Sequence, residues 1–413
     1  MSIHLLLFFI LLRPILLFST STSSSFSFIG INYGQVGDNL PSPSSVLPLF
    51  HSLSITRVRL YDFNPTLLHP LSSSSSSLDL TIGVPDRCLP SFASDPHSSL
   101  SFLHSNVLPY PSISLITLGN EVLTSNSSIL LSSLLPAINN LHSSLLSLNL
   151  HQRIKISTAH SLSILSQSFP PSSSSFRHDL LPILTPLLSF LSRSKSPFLI
   201  NAYPYFAYKA DPNHVDLDYV LFQPNDGVVD PGSGLRYDNM LHAQVDAVRS
   251  AISKAGGDAG LEVRVSETGW PSAGDPDEAG ATPENARRYN GNLMRMVASG
   301  RGTPARPKDP LRVDIFALFN ENLKPGPASE RHYGLFKPDG TPAYQLSLAP
   351  ASSGNGTSNG SAASPSQQSA GEGLSLMGYD ISSAAVPVWA WWAPRGGALG
   401  SLSLVILVWG WAL

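Results

Sequence analysis

Two glutamates stand where apolar runs of this chain turn polar: Glu121 in Leu118-Gly-Asn-Glu-Val122 and Glu267 in Val265-Ser-Glu-Thr-Gly-Trp-Pro271. Two carboxylates brought to one rim by two strands can break a glycosidic bond. One carboxyl stays protonated and donates to the leaving oxygen, while the other stays ionised and attacks the anomeric carbon. When configuration is retained the two lie about 5–5.5 Å apart. Like charges at that range push one pKa upward, which helps to keep the acid protonated. Either glutamate alone reads as an ordinary surface carboxylate or ion-pair partner. The pair gains weight from its setting, with Asn120 beside one and Thr268-Gly-Trp270 beside the other. The two are far apart in sequence, so the chemistry needs a fold that gathers strand ends.

The rest of the chain supplies such strands. Eight apolar, β-rich runs occupy 28–34, 55–62, 78–85, 113–121, 153–160, 197–206, 262–270 and 313–322. Most are nearly continuous rather than alternating, as in parallel strands buried on both faces. Helices are expected between them. Ile129, Leu130, Leu134, Ile138, Leu141 and Leu145 keep helical spacing, as do Tyr237, Leu241, Val245, Val248 and Ile252. Thr282-Pro283-Glu284 reads as an N-cap with proline at the first helical position, and Gly300 closes that helix after Tyr289, Leu293 and Met296. Strands alternating with helices predict an α/β fold, a (β/α)8 TIM barrel over 26–348, with a small insertion after the sixth strand at 208–236. An open doubly wound sheet is the alternative, but no G-x-G-x-x-G or Walker sequence follows the first strand. The serine runs 72–77 and 172–175 read as surface loops.

Composition narrows the partners. The chain has 413 residues, 42% of them hydrophobic, and a net charge of -3, so it carries no basic footprint for nucleic acid. A neutral polymer fits that balance best, and a monomer is expected. The single cysteine, Cys88, excludes an intrachain disulfide framework and reads as a buried small hydrophobe. Twelve histidines are scattered without a ligand pattern, so neither metal nor cofactor is assigned. No H-E-x-x-H occurs, and Gly356-Thr-Ser-Asn-Gly360 falls in a Ser/Gly-rich stretch with no apolar strand run before it, so there is no G-x-S-x-G elbow and neither metalloprotease nor lipase chemistry has support.

The flanks read as addresses. Residues 1–25 hold an apolar run and then small residues, the pattern of a secretory signal peptide. Residues 349–385 form a Ser/Gly-rich stalk, and 386–413 end in an apolar stretch expected to be a removed GPI-anchor signal. Attachment near 382–385 or 369–371 fits, and a tail anchor is the alternative. The expected location is the outer face of the plasma membrane. Asn126, Asn355 and Asn359 begin glycosylation triplets.

Several stretches together resemble the plant β-1,3-glucanases of glycoside hydrolase family 17. They are Ile29-Gly-Ile-Asn-Tyr-Gly-Gln35, Val58-Arg-Leu-Tyr-Asp62, Leu118–Val122, Asn201-Ala-Tyr-Pro-Tyr-Phe206, Val265–Ser272, and Phe319-Asn-Glu-Asn-Leu-Lys-Pro-Gly326 with Glu330–Phe336. The resemblance implies a (β/α)8 barrel and a retaining mechanism, with Glu121 as acid/base and Glu267 as nucleophile. It also implies that Glu321, Lys324 and Glu330 line the cleft. The cysteine-rich carbohydrate-binding module of some relatives is expected to be absent, because no cysteine follows Leu346.

The remaining assignments follow from residue chemistry. Asn120 is expected to hold a sugar 2-hydroxyl, and Tyr203 to orient Glu267 through its hydroxyl. Tyr33, Phe206 and Trp270 offer flat faces for pyranose rings, or are simply core aromatics. Lys324 is expected to hold Glu321 or Glu330 ionised. The expected activity is endo-hydrolysis of β-1,3-glucan. A mixed-linkage glucanase or transglycosylase on the same fold, a non-catalytic glucan-binding protein and a structural wall glycoprotein are the alternatives.

Overall fold

The computed structural model describes residues 28–72 and 78–345. The expected signal peptide, stalk, anchor signal, Asn355, Asn359 and most of the first serine run lie outside these residues.

Eight parallel strands close into a barrel: β1 (Ile29–Asn32), β2 (Arg57–Arg59), β3 (Asp79–Val84), β4 (Ile113–Asn120), β5 (Lys155–Ser161), β6 (Phe198–Asn201), β7 (Val263–Thr268) and β8 (Val313–Ile315). Each strand pairs with its neighbours in sequence, and β1 closes the ring on β8 through Ile29↔Val313 and Ile31↔Ile315. All eight expected strands are present, most of them shorter than the apolar runs, and β5 runs one residue further, to Ser161. The run expected over 197–206 stops at Asn201, and Pro204 opens a helix, Pro204–Ala210. Proline at the first helical turn loses no bond there, and its fixed φ suits the helix start.

The expected helices form at Ser128–Ser147, Met240–Lys254 and Pro283–Ala298. Thr282 caps the last by accepting a hydrogen bond from Asn285 N at 3.2 Å, and Gly300 follows with φ 68°. Their apolar faces, with Leu134, Ile138, Leu141, Leu241, Val245 and Leu293, pack on the outer faces of the strands. The insertion after β6 holds a short helix, Leu217–Val220, and an antiparallel pair, Val228–Val229 with Arg236–Tyr237.

Two expectations are corrected. The serines at 172–175 are not a loose surface loop: Ser174 is fully buried, and Ser172 donates through its amide and hydroxyl to Asp230 at 2.7 and 2.6 Å. Those bonds tie the β5–β6 connection to the insertion. Cys88 is half-buried rather than buried, at the end of the turn Asp86–Cys88, and packs on the core from its edge.

The barrel interior is layered. Leu115, Ala159 and Leu199 form a small separate cluster, whereas their neighbours Ile116, Ile156 and Ile200 join the large core under the helices. Within the β1–β2–β8 part of the barrel, Arg57 donates to Asp314 Oδ1 through Nε at 2.9 Å and Nη2 at 2.7 Å, with both side chains buried. Gly30 makes room for this pair, since a Cβ there would meet Asp314 Oδ1 at 2.0 Å. Removing one partner strands the other charge in a poor solvent. Asp314→Ala is therefore expected to lower stability by roughly 3–5 kcal/mol. An unchanged urea midpoint for that variant would refute the role.

Candidate active site

The carboxyl ends of β1, β2, β4, β6 and β7 carry a connected polar cluster, centred on Arg59. This side chain is 1% exposed. Its Nη1 donates to Glu267 Oε1 at 2.7 Å and to Ser266 O at 3.0 Å, and its Nη2 donates to Asn120 Oδ1 at 2.9 Å. Asn32 braces it: Oδ1 accepts from Arg59 Nη1 at 3.3 Å and from the Tyr61 hydroxyl at 3.1 Å. Burial opposes the charge of Arg59, but Tyr61 and Glu267 beside it push its pKa above the ordinary arginine value.

Glu267 is 6% exposed and accepts three side-chain hydrogen bonds. Arg59 and the Tyr61 hydroxyl, at 2.8 Å, reach Oε1, and the Tyr203 hydroxyl reaches Oε2 at 2.9 Å. Burial first, and the Glu267 charge second, hold both phenols well above the usual tyrosine range, so both remain donors. These bonds orient the carboxylate and stabilise its negative charge.

Glu121 follows β4 in a left-handed conformation, φ 56° and ψ 27°. Its Oε1 accepts from Asn201 Nδ2 at 2.9 Å, and Asn201 Oδ1 accepts from Ser266 Oγ at 2.7 Å. Burial and the nearby Glu267 charge push the Glu121 carboxyl up to about 7, with a smaller push from Glu330; Asn201 and Arg59 pull the other way.

Both glutamates sit at breaks in strand register. Val265 pairs with Ile200 but Glu267 with Asn201, so two residues of β7 advance against one of β6. Thr117 pairs with Ser157 but Asn120 with Ala159, where Gly119 takes φ 67°. Bulges of this kind redirect side chains. They let Ser266 and Glu267 reach Asn201 and Arg59, and they bring Asn120 to Arg59. Asp86 supports the β4 turn by accepting from Asn120 N at 3.0 Å.

The charged group after β8 adjoins this cluster. Glu321 is 3% exposed and accepts from Val36 N at 2.7 Å, with Lys324 Nζ 3.9 Å from its other oxygen. Lys324 Nζ lies 4.0 Å from the centre of the Phe316 ring. Burial raises the pKa of both Glu321 and Glu330, and the Lys324 charge pulls both down, the direction expected of it. Further out, Glu278 accepts from Lys209 Nζ at 2.6 Å, from Ser329 N and Oγ at 2.8 and 2.6 Å, and from Asp275 N at 3.0 Å. Burial works against this carboxylate, yet those bonds hold its pKa at about 2. They tie together the connections after β6, β7 and β8.

Two expected stacking faces are core residues. Tyr33 is 1% exposed, set edge-on to Phe50 and Phe319. Trp270 is fully buried against Tyr205, Tyr208 and Tyr289, with its indole N–H donating to Gly280 O at 2.8 Å. Each fills space beside the site, and neither face is open to a sugar. Phe206 is exposed, and its ring lies 5.2 Å from that of Tyr203. Asn126 is exposed. Arg59, Tyr61, Asn32 and Asn201 went unassigned in the sequence. The available signal was a charged residue inside the apolar run Val58-Arg-Leu60, which needs a buried partner. Among the described residues no group of three or more His, Cys, Asp or Glu comes together to hold a metal.

An eight-stranded parallel barrel with two coupled carboxyls at its carboxyl rim defines a sugar-cleaving hydrolase. Residues 29–348 match the model for glycosyl hydrolases family 17, and the chain belongs to that family. It is 54% identical to glucan endo-1,3-beta-glucosidase 11 of Arabidopsis thaliana over 83% of this chain and 80% of that one. It is 50% identical to glucan endo-1,3-beta-glucosidase 14 of the same plant over 84% and 89%. Among solved structures it resembles CJP38, a beta-1,3-glucanase and allergen of Cryptomeria japonica pollen, at 40% identity and TM-score 0.73, covering 77% of this chain and 98% of that one.

Tyr203→Phe removes one of the three Glu267 donors without opening a cavity. It is expected to lower kcat about tenfold or more with KM little changed. A fall confined to KM would place Tyr203 in substrate binding instead.

Proposed function

We propose that this enzyme cleaves internal β-1,3 linkages of a β-1,3-glucan, callose or fungal wall glucan, with retention of configuration. The observation that carries the reading is the division of labour between the carboxyls. Glu267 is pinned by three donors, while burial and its neighbour hold Glu121 at about 7. Two carboxyls in different environments can act as nucleophile and acid. Glu267 attacks the anomeric carbon as Glu121 gives its proton to the departing glycosidic oxygen. Water then attacks the glycosyl–Glu267 ester, and Glu121 takes the proton back. Asn120 commits its Oδ1 to Arg59, which leaves its amide N–H groups free to donate to a sugar hydroxyl beside the reacting carbon. The names of the relatives support β-1,3-glucan as substrate. One solved neighbour, at 35% identity and TM-score 0.70, belongs to a study of two plant beta-glucan endohydrolases with distinct substrate specificities, so a mixed-linkage glucan is the second reading.

The test is hydrolysis of a linear β-1,3-glucan by the parent, Glu121→Gln and Glu267→Gln. Short oligosaccharides of β configuration from the parent, and a loss of about 10²-fold or more in each variant, are expected. Glu121 is protonated below its pKa, so parental activity falls as pH rises through about 7, and the residual activity of Glu121→Gln lacks that limb. α-Configured first products would overturn retention, and cleavage of mixed-linkage polymer alone would overturn the substrate.

We also propose an extracellular, lipid-anchored location. The apolar segments within 1–25 and 386–413 and the Ser/Gly-rich stretch between barrel and tail support it. Phosphatidylinositol-specific phospholipase C is expected to release the enzyme from plant membranes. Retention after that treatment would argue against the anchor.

A further inference from the structure

Where the helix Pro283–Ala298 meets the insertion after β6 lies a depression that the catalytic reading leaves unused. Its volume is about 410 Å³, and Gln223, Arg287, Arg288, Gly291, Asn292 and Arg295 line it. Asn292 Nδ2 donates to Leu221 O at 2.7 Å, which ties the helix to the insertion and holds the two walls together. No residue of the catalytic cluster around Arg59 is among the lining.

The charges there are unbalanced. Arg287 and Arg288 share one carboxylate: Glu284 accepts from Arg287 Nε and Nη2 at 2.9 and 2.8 Å and from Arg288 Nε at 2.8 Å. Arg295 donates to an amide oxygen, Asn292 Oδ1, and among the described residues no carboxylate forms an ion pair with it. Three guanidinium groups therefore have one carboxylate between them, in a chain whose net charge is negative. The excess continues along the sequence, where Arg301, Arg306, Lys308 and Arg312 precede β8 with Asp309 as the one acid among them.

Gly291 is a second, independent observation. A glycine inside a helix costs about 1 kcal/mol against alanine. Crowding does not require this one, because a Cβ there would meet nothing nearer than Arg295 Nη1, at 3.9 Å. Its missing side chain instead leaves the space before Arg295 open. Guanidinium groups bind carboxylates and phosphates through paired hydrogen bonds. The lining favours one source of anion over the other. It holds no apolar side chain of the kind that enters a lipid surface. Gln223, in contrast, offers both a donor and an acceptor, which suits hydroxyls beside a carboxylate.

We propose that this depression binds a uronate unit of an acidic polysaccharide and so holds the enzyme on that polymer, apart from the neutral glucan in its cleft. Carboxylates flanked by hydroxyls repeat along such a chain, and the basic residues at 301–312 extend the positive charge available to it. The inference does not depend on which glucan the cleft cuts.

The experiment measures binding to de-esterified polygalacturonate at low salt for the parent, for Arg288→Gln with Arg295→Gln, and for a charge control elsewhere, Arg193→Gln with Lys195→Gln. Glutamine is nearly as good a helix former as arginine, so the first variant keeps its helix. It is expected to lose about tenfold or more in affinity, while the control binds like the parent. Fully methyl-esterified polymer is expected not to bind, and both variants are expected to hydrolyse short β-1,3-gluco-oligosaccharides at the parental rate. Unchanged binding by the arginine variant, an equal loss in the control, or equal binding of the esterified polymer would overturn the site. Arginine-dependent binding to phosphatidylserine vesicles with none to polygalacturonate would overturn the polysaccharide as its ligand. Each of those outcomes leaves the hydrolase reading intact.

Discussion

A buried cation inside the barrel organises this site. Arg59 lies almost wholly out of water, where an unpaired charge costs several kcal/mol. Its partners come from three other strands: Asn32 on β1, Asn120 on β4, and Ser266 with Glu267 on β7. Glu267 is thus also the counter-charge of a structural cation, so its position is fixed before any substrate arrives. Preorganisation of that kind spares the reaction the cost of aligning its groups.

The second constraint is register. A regular parallel strand sends alternate side chains to opposite faces, so Glu267 would share the helix-facing side of Val263 and Val265. The bulges in β7 and β4 break that alternation just where the barrel turns from packing to chemistry. Gly119, with its positive φ, pays the backbone cost in β4 and delivers Asn120 and Glu121 together. The two carboxyls then stay coupled: the charge held on Glu267 is one reason why Glu121 keeps its proton to about pH 7.

Outside this centre, buried carboxylates brace the rim. Glu278 joins the connections after β6, β7 and β8, and Glu321 joins those after β1 and β8. Each carboxylate satisfies backbone N–H groups that the loops would otherwise leave without partners. These ties stiffen the walls without occupying the space between them.

Much of the architecture was legible in the chain. Eight nearly continuous apolar runs separated by helical spacings specify a parallel barrel, because only strands buried on both faces are apolar throughout. Glu121, Glu267 and Tyr203 could be singled out as candidates because they stand where such runs turn polar, and the structure brings them into one cluster. The aromatic assignments show the limit: Tyr33, Trp270 and Phe206 look alike as residue types, yet only Phe206 meets solvent. Which face an aromatic presents depends on what packs over it, and that is decided by elements distant in sequence. For the same reason Arg59, Asn32 and Asn201 gained their roles only when the closing sheet brought the ends of β1, β2, β6 and β7 together. Sequence determined the strands and the carboxyl-bearing residues at their ends; the register shifts and the buried cation, both long-range, decided where those side chains point.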